Sequence, residues 1–262
     1  MQNGYRNLRI KAFSKSIPYD HELANIVQSV SSHKFLLNPA SQNTYLYQVE
    51  FVHQLMQATF GKPMSQLTVL DWGCGKGQVS FLLKRLGAQV ISCDYCADSD
   101  SDDDSAFGQT VPIVKTAGIS IDRLLHPTDM PYCDKSFDSV LSFGVLEHVQ
   151  DDLNSMKELR RILRPGGMFF CFNLPYFLSW TQRIVHLAGD SYHDRLYNKS
   201  LAKRLLSRAG FEVLDIWHRQ LFPKNRVRYP FYRAFEAADQ LLVRYTPLRY
   251  LATNIEFVAV AQ

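Results

Sequence analysis

The stretch Asp71-Trp72-Gly73-Cys74-Gly75-Lys76-Gly77 decides the fold class of this 262-residue chain. It follows a short apolar run at residues 68–71 and precedes a helical pattern at residues 79–86. Glycines between a strand and a helix let the backbone approach a ligand, and the start of the helix offers free N–H groups. The sequence therefore predicts a ligand-binding loop at one end of a β-sheet.

Helical and strand-like patterns alternate on both sides of this loop, which indicates a mostly parallel sheet covered by helices on both faces. Asp151 or Asp152 is expected to cap one helix, which ends at Pro165-Gly166-Gly167. Asn198 is expected to cap another, which ends at Gly210. A further helix is predicted over residues 43–60, and strands over residues 68–71, 89–94, 119–125, 137–143, 168–174, 211–217 and 255–261.

Asp94 ends the second predicted strand, seventeen residues after Gly77. In doubly wound folds, a carboxylate at this position accepts hydrogen bonds from both hydroxyls of a ribose. The alternative is that the glycines form only a tight turn and that Asp94 caps a loop. The dinucleotide fingerprint requires a third glycine where Gln78 stands, so an NAD-dependent oxidoreductase is the weaker interpretation.

The composition is that of a globular chain, with 46% hydrophobic and 21% charged residues. No apolar run reaches the ~18 to 20 residues that a membrane span needs, and the first residues lack the apolar segment of a signal peptide. Five cysteines are too few for a disulfide scaffold, and the net charge of +4 is spread over most of the chain. We therefore expect a cytoplasmic protein that does not bind nucleic acid.

Two sequence patterns resemble metal-binding sites but lack residues that such sites require. An EF-hand loop that starts at Asp98, in the aspartate-rich residues 98–104, would need glycine at its sixth position and glutamate at its twelfth. Asp103 and Gln109 stand there instead. Cys93 and Cys96 form a C-x-x-C pair without the second pair of a zinc site. We expect the aspartates to form a solvated loop and the cysteines to pack or to line the ligand cleft.

The loop opened by Asp71 resembles the glycine loop of class I S-adenosylmethionine-dependent methyltransferases. Three further stretches resemble motifs of that family in the same order. Residues 130–138 (MPYCDKSFD) are similar to its L-P-F-x-D-x-S-F-D, residues 145–149 (VLEHV) to its V-L-E-H-V, and residues 163–167 (LRPGG) to its L-K-P-G-G. The series covers about residues 66–174 and most resembles the small-molecule group that contains the ubiquinone and menaquinone biosynthesis enzymes.

This resemblance implies a Rossmann-like, doubly wound α/β sheet of seven strands, mostly parallel with a final antiparallel strand. A single domain would cover residues 1–262. Its parts would be an N-terminal helical extension over the cofactor (1–65), a cofactor-binding core (66–174), and a substrate lid with the last strands (175–262). The implied cofactor is S-adenosylmethionine, and the product is S-adenosylhomocysteine.

The resemblance also implies which residues hold the cofactor. The glycine loop and Asp71 would face its methionine part, and Asp94 would face its ribose. His126 replaces the family's acidic residue at the adenine position, so residues 128–130 would contact the adenine instead. The complete set of expected cofactor contacts is Asp71, Gly73, Cys74, Gly75, Gly77, Asp94, Tyr95, Thr128, Asp129, Met130 and Phe143.

Methyl transfer from a sulfonium is an in-line displacement, in which the protein positions the acceptor and can remove its proton. Glu147 and His148 follow the fourth predicted strand, and His148 is the first candidate for the base. In the family this pair also has a structural part in holding the loop, and both interpretations stay open. His193 in the lid is a further candidate for acceptor contact. Some relatives bind a metal through an upstream glutamate, which is Gly144 here, so no metal is expected.

The acceptor is expected to contact the aromatic-rich segments outside the core, residues 1–42, 175–197 and 221–254. Five arginines between residues 226 and 249 suit a peripheral membrane contact, a lipid-linked or phosphate-bearing acceptor, or a packed helix with snorkelling side chains. No N-P-P-Y motif for planar nitrogen follows the fourth strand. The sequence thus predicts a methyltransferase acting on an oxygen or carbon atom of a small molecule. The alternatives are an NAD-dependent oxidoreductase and an inactive cofactor-binding scaffold.

Overall fold

One sheet organises the part of the chain that the structure describes. The computed structural model describes residues 39–95, 114, 118–187, 189, 195–223 and 231–262. Seven strands within these ranges form the sheet. They are β1 (Thr68–Trp72), β2 (Gln89–Tyr95), β3 (Ile121–Leu124), β4 (Phe137–Phe143), β5 (Leu163–Pro175), β6 (Phe211–Arg219) and β7 (Asn254–Ala261).

The strand order is β3-β2-β1-β4-β5-β7-β6. Strands β1 to β5 pair in parallel, whereas β7 runs antiparallel to both β5 and β6. This confirms the predicted seven-stranded, mostly parallel sheet with an antiparallel last strand. Because the order reverses between β1 and β4, a crevice opens beyond the carboxyl ends of these strands, where doubly wound folds bind their ligands.

Helices cover both faces of the sheet. Leu55 and Leu83, on two of these helices, are buried in one apolar cluster, and Leu159 and Leu206, on two others, are buried in a second. The two clusters lie on opposite faces because successive strand residues point to opposite sides. The α-helices in the described ranges are α1 (Pro39–Phe60), α2 (Gln78–Arg85), α3 (Asp152–Ile162), α4 (Trp180–Leu187), α5 (Lys199–Arg208) and α6 (Tyr232–Tyr245).

The structure confirms the two predicted helix caps. Asp151 accepts a hydrogen bond from the Asn154 N–H at 3.0 Å before α3, and Asn198 accepts one from the Leu201 N–H at 2.8 Å before α5. Each cap satisfies an N–H group that the first turn of a helix leaves unpaired. Gly210, with a φ angle of +86°, follows α5 as predicted.

The Pro165-Gly166-Gly167 stretch lies inside β5 rather than before it, so the predicted start of this strand at residue 168 is wrong. Strand β5 begins at Leu163, directly after α3, and Leu163 pairs with Phe137 of β4. The register shifts after Phe137, and a Cβ on Gly167 would meet the Arg164 carbonyl oxygen at 2.8 Å. The glycine thus allows an irregular but continuous strand where the sequence pattern indicated a break.

Helix α1 begins at Pro39 rather than at the predicted residue 43, and it packs on the sheet as part of the core. Tyr176 and Tyr197, at the two ends of the insertion after β5, form an isolated bridge. No helix in the described ranges has the length and hydropathy to cross a membrane. Outside the described residues lie residues 1–38, Cys96, the aspartate-rich residues 98–104, His193 and residues 224–230, so the predictions made for them stay predictions.

Candidate functional site

The glycine loop that follows β1 is anchored to the neighbouring strand β2. The N–H groups of Gly73 and Cys74 both donate to the carbonyl oxygen of Cys93, at 2.9 and 3.0 Å. Gly73, Gly75 and Gly77 have φ angles of +71°, +51° and +75°, which residues with a Cβ rarely adopt. The loop therefore turns tightly at the carboxyl ends of β1 and β2, and α2 begins directly after it.

Gly73 also lies against the turn that follows β4. A Cβ placed on Gly73 would be 2.3 Å from Cγ2 of Val145, far inside van der Waals contact. Val145 belongs to the V-L-E-H-V stretch, so two sequence motifs meet here in space. Gly75 is different, because a Cβ placed on it would have no described atom within 4 Å. The loop thus leaves room beside Gly75 and is closed at Gly73.

Asp94 links the glycine loop to the end of β2. Its Oδ2 accepts a hydrogen bond from the Gly75 N–H at 2.6 Å, and its Oδ1 accepts one from the Tyr95 N–H at 2.8 Å. A carboxylate oxygen can accept two hydrogen bonds, so both oxygens retain capacity for a donor such as a hydroxyl. Burial raises the pKa of Asp94, and the two backbone donors oppose this shift. The sequence predicted the position of Asp94 but not its hydrogen bond to the loop.

The carboxylate of Asp71 lies inside the fold beneath the glycine loop. Its Oδ2 accepts a hydrogen bond from the Ser80 hydroxyl at 2.5 Å, and that hydroxyl lies 2.8 Å from the hydroxyl of Ser92. These buried groups tie β1, α2 and β2 together. Sequence reasoning missed Ser80, although a serine within the apolar run at the start of α2 is a signal for a buried polar partner. The contact of Asp71 with the cofactor stays a prediction.

Burial raises the pKa of Asp71 to about 7, while the Ser80 hydrogen bond opposes the shift and the Asp94 charge adds to it. Because this value lies above the ordinary 3.8, the carboxyl's contribution to stability is present at low pH and is lost as the pH rises through about 7. Between pH 3.8 and about 7, the free energy of unfolding should therefore fall as the pH rises, by up to roughly 1.4 kcal/mol per pH unit. We expect Asp71→Asn to remove this part of the decline. Urea unfolding of both proteins across the interval measures this, and parallel pH profiles would refute it.

Glu147 and His148 follow β4 and lie in different environments. The Glu147 side chain is 2% exposed, and burial raises its pKa to about 8, so its neutral form predominates at pH 7. The His148 imidazole is 48% exposed, and its Nε2 lies 4.0 Å from Oε1 of Glu147. A Cβ on Gly144 would lie 3.4 Å from the same oxygen, so the glycine makes room for the buried carboxyl. Of the pair, His148 is therefore the accessible group.

Phe143, the last residue of β4, forms an aromatic wall with residues of α1 and β5. Its ring centroid lies 6.0 Å from that of Tyr45 and 4.7 Å from that of Phe172. Gln48 fixes α1 at this edge of the sheet by donating to Oε1 of Glu256 at 2.7 Å. Tyr45 was not predicted as a site residue, because a helical pattern does not show which end of the sheet its first turns reach.

The residues expected at the adenine position differ in accessibility. Thr128 and Asp129 are exposed, whereas Met130 is buried. The Met130 N–H donates to Oε1 of Glu158 at 2.8 Å, and its carbonyl oxygen accepts from Arg161 at 3.1 Å. Its backbone groups are therefore engaged with α3, and Thr128 and Asp129 have the accessible side chains.

The central part of the chain is similar to known methyltransferases. Residues 70–171 match a family model described as a methyltransferase domain. A Mycolicibacterium smegmatis protein named "Probable S-adenosylmethionine-dependent methyltransferase" is 32% identical over 169 residues, which are 62% of this chain and 59% of that protein. A ubiquinone biosynthesis O-methyltransferase from Rhizobium etli is 27% identical over 59% of this chain and 63% of its own length. The chain thus spans less than two thirds of these curated relatives.

Solved structures share the fold. An S-adenosylmethionine-dependent methyltransferase from Mesorhizobium loti matches with a TM-score of 0.52, over 81% of this chain and 97% of that one. The sequences are 18% identical, so this likeness concerns the fold alone. It agrees with the strand order described above.

Proposed function

Residues 70–171 belong to the class I S-adenosylmethionine-dependent methyltransferase family, and we propose on this premise that the chain transfers a methyl group from S-adenosylmethionine to a small molecule. The observation that carries the proposal is the 2.6 Å hydrogen bond from the Gly75 N–H to Asp94, which joins two ligand-binding features in one crevice. This crevice lies where the strand order reverses, which is where nucleotide-binding doubly wound folds hold their ligands.

Three features of the described residues fit this cofactor. There is open space beside Gly75, the Asp94 carboxylate retains acceptor capacity, and Oε1 of Gln78 is buried without a donor among the described residues. When bound, S-adenosylmethionine supplies a methyl group on a sulfonium, which is an excellent leaving group. The glycine loop would hold its methionine part, Asp94 its ribose, and Thr128 with Asp129 its adenine.

We also propose that the acceptor is attacked at an oxygen or a carbon atom, with a phenolic hydroxyl as the first candidate. Relatives of the chain include ubiquinone biosynthesis O-methyltransferases, and no N-P-P-Y motif follows β4. The half-buried rings of Phe143 and Tyr45, packed on the buried Phe172, form an apolar surface against which an aromatic acceptor can stack. A phenol has an ordinary pKa of about 10, so its hydroxyl must lose a proton during the transfer.

Isothermal titration with S-adenosylmethionine, S-adenosylhomocysteine and NAD tests the cofactor. Transfer of a radiolabelled methyl group to a panel of phenols and catechols then tests the reaction. Binding of both adenosyl compounds together with label transfer supports the proposal. Binding without transfer to any acceptor would favour an inactive scaffold, and NAD binding that S-adenosylmethionine does not compete away would favour an oxidoreductase.

His148 is the proposed proton acceptor, because it is accessible while Glu147 is buried and largely neutral at pH 7. We expect His148→Gln to lower kcat by a factor of about 100 to 10,000 and to leave the affinity for S-adenosylmethionine nearly unchanged. Glu147→Gln is the matched variant, and it should retain kcat because an amide resembles the neutral carboxyl. Steady-state kinetics with the acceptor found above provide the measurement.

A purely structural role for this pair gives a different result. In that case His148→Gln lowers the free energy of unfolding, and the protein that remains folded keeps its kcat. Measuring kcat together with stability separates the two roles, because only loss of a base lowers kcat in protein that is fully folded.

A further inference from the structure

A groove with a volume of about 430 Å³ runs along β6, the edge strand that is four places from β1 in the sheet. Residues 215–219 of β6 form one wall, and the second half of α6 forms the other. Tyr47 of α1 and Lys199 of α5 also line it. This volume lies within the range of about 300 to 1,000 Å³ that is typical of small-molecule sites.

The walls of the groove carry more positive than negative charge. Asp239 is already engaged, because its Oδ1 accepts hydrogen bonds from the N–H groups of Leu221 and Phe222 at 2.6 and 2.9 Å. The charged residues of the walls are the cationic Lys199, Arg219, Arg244 and Arg249 and the acidic Asp215 and Asp239. Arg244 and Arg249, two of the arginines between residues 226 and 249, thus line a cavity.

Several buried donors in these walls have no hydrogen-bond acceptor among the described residues. Arg219 is 6% exposed, and neither its Nε nor its Nη2 makes a hydrogen bond. The same holds for Nε of Arg249 and Nε2 of Gln240. Burial opposes the charge of Arg219, but the carboxylates of Glu256, Glu236 and Asp239 all raise its pKa. The Glu236 carboxylate is 4.0 Å from Nη2 of Arg219, which balances charge without supplying a hydrogen bond. Because buried donors are normally satisfied, these donors have room for an acceptor that the described residues do not supply.

The imidazole of His218 lies in the wall of the groove, near the positive charges of Lys199 and Arg249. Burial, together with the neighbouring charges of Lys199 and Arg249, lowers the pKa of its imidazole to about 4, so the ring is neutral at pH 7. Aromatic residues complete the walls, among them Tyr47, whose ring centroid lies 4.6 Å from Cζ of Arg219, and Trp217. The groove therefore combines cationic donors with flat apolar surface.

We propose that this groove binds a small oxyanion, a phosphate monoester or a carboxylate attached to an aromatic or apolar body. The oxyanion accepts hydrogen bonds from Arg219 and Arg249, since guanidinium groups match the geometry of both anions. The body lies against Tyr47 and Trp217. None of these residues belongs to the glycine loop or to the crevice beside it, so the inference stands independently of the proposed methyl transfer.

The same oxyanion is available from a soluble metabolite or from a lipid headgroup. Leu248, Tyr250 and Leu251 are exposed large apolar side chains next to Arg249. A headgroup would bring acyl chains to these side chains, whereas a soluble ligand leaves them in water. The two sources therefore make different predictions for binding to vesicles.

The experiment is a calorimetric titration of the full chain with phenyl phosphate, alongside sedimentation with vesicles of phosphatidylglycerol and phosphatidylcholine. We expect Arg249→Gln to weaken binding of the probe about tenfold or more, as for loss of a charge-assisted hydrogen bond. Arg204→Gln, an equal charge change on the exposed face of α5, is the matched control and should retain the affinity. Lys199→Gln is a second test variant, which serves if Arg249→Gln fails to fold.

Binding of phenyl phosphate that Arg249→Gln loses supports a soluble ligand. Vesicle binding with the same dependence, without binding of phenyl phosphate, supports a lipid headgroup at the same groove. Absence of binding to both probes overturns the proposal, and so does equal loss in the Arg249 and Arg204 variants, which indicates general charge attraction. S-adenosylmethionine affinity is measured in parallel, so failure of the methyltransferase proposal is seen separately.

Discussion

Asp94→Ala is expected to weaken the binding of S-adenosylmethionine by about 3 kcal/mol or more, at least ~100-fold in Kd. The variant removes the acceptor proposed for both ribose hydroxyls, and each hydrogen bond to a charged group contributes about 1.5 to 3 kcal/mol. It also removes the acceptor of the Gly75 N–H, which leaves the glycine loop without its 2.6 Å link to β2. Isothermal titration measures the affinity, and urea unfolding without ligand shows how much the loop link contributes to stability.

Two further variants separate charge from position. Asp94→Asn retains one oxygen for the Gly75 N–H but carries no charge, so we expect an intermediate affinity. Asp122→Asn changes a carboxylate on the neighbouring strand β3, where Asp122 accepts from the Tyr132 hydroxyl at 2.9 Å, and it should leave the affinity unchanged. A folded Asp94→Ala protein with wild-type affinity would refute the ribose assignment.

Gly73→Ala is expected to destabilise the fold by about 2 to 5 kcal/mol. A left-handed backbone costs a residue with a Cβ about 1 to 2 kcal/mol, and overpacking adds about 1 to 3 kcal/mol. The added Cβ would lie 2.3 Å from Cγ2 and 2.8 Å from Cγ1 of Val145, whose branched side chain cannot rotate away easily. Urea unfolding of the variant and of the wild type measures the difference.

Gly75→Ala is the matched control for this prediction. Its φ angle of +51° carries the same kind of backbone strain, but no described atom lies within 4 Å of the added Cβ. We expect a loss of only about 1 kcal/mol there. Val145→Ala in the Gly73→Ala background should recover part of the lost stability, because it removes both clashing methyl groups. Equal losses at the two glycines, with no recovery in the double variant, would show that the contact with Val145 is unimportant.

Local patterns in the sequence were sufficient for most of the secondary structure. The alternation of helix and strand periodicities, the caps Asp151 and Asn198, and the glycine turn after β1 are encoded within a few residues of each other. The start of β5 was predicted five residues too late, because Pro165, Gly166 and Gly167 are typical of a break between elements. Pairing with β4 stabilises this irregular backbone as part of the strand.

The partners of the site residues could not be predicted in the same way. Asp94 was identified from its place at the end of a strand, but its hydrogen bond to Gly75 depends on how β1 and β2 align. The Ser80 partner of Asp71 depends on which face of α2 packs on the sheet. The family resemblance implied a cofactor contact for both aspartates. The fold places Asp94 beside the glycine loop and buries Asp71 in the core.

The sequence by itself determined the fold class, the glycine loop after β1 and the place of Asp94 at the end of β2, because these depend on short-range spacing and on backbone geometry that glycine permits. Only the tertiary structure decided that Gly73 meets Val145 and that Arg219 and Arg249 share a groove with Tyr47. These residues are far apart in the chain, and they come together because the order of the strands, not the order of the sequence, sets their distances. Burial, which also depends on the tertiary structure, raises the pKa of Asp71 and Glu147 and leaves donors of Arg219 and Arg249 without acceptors among the described residues.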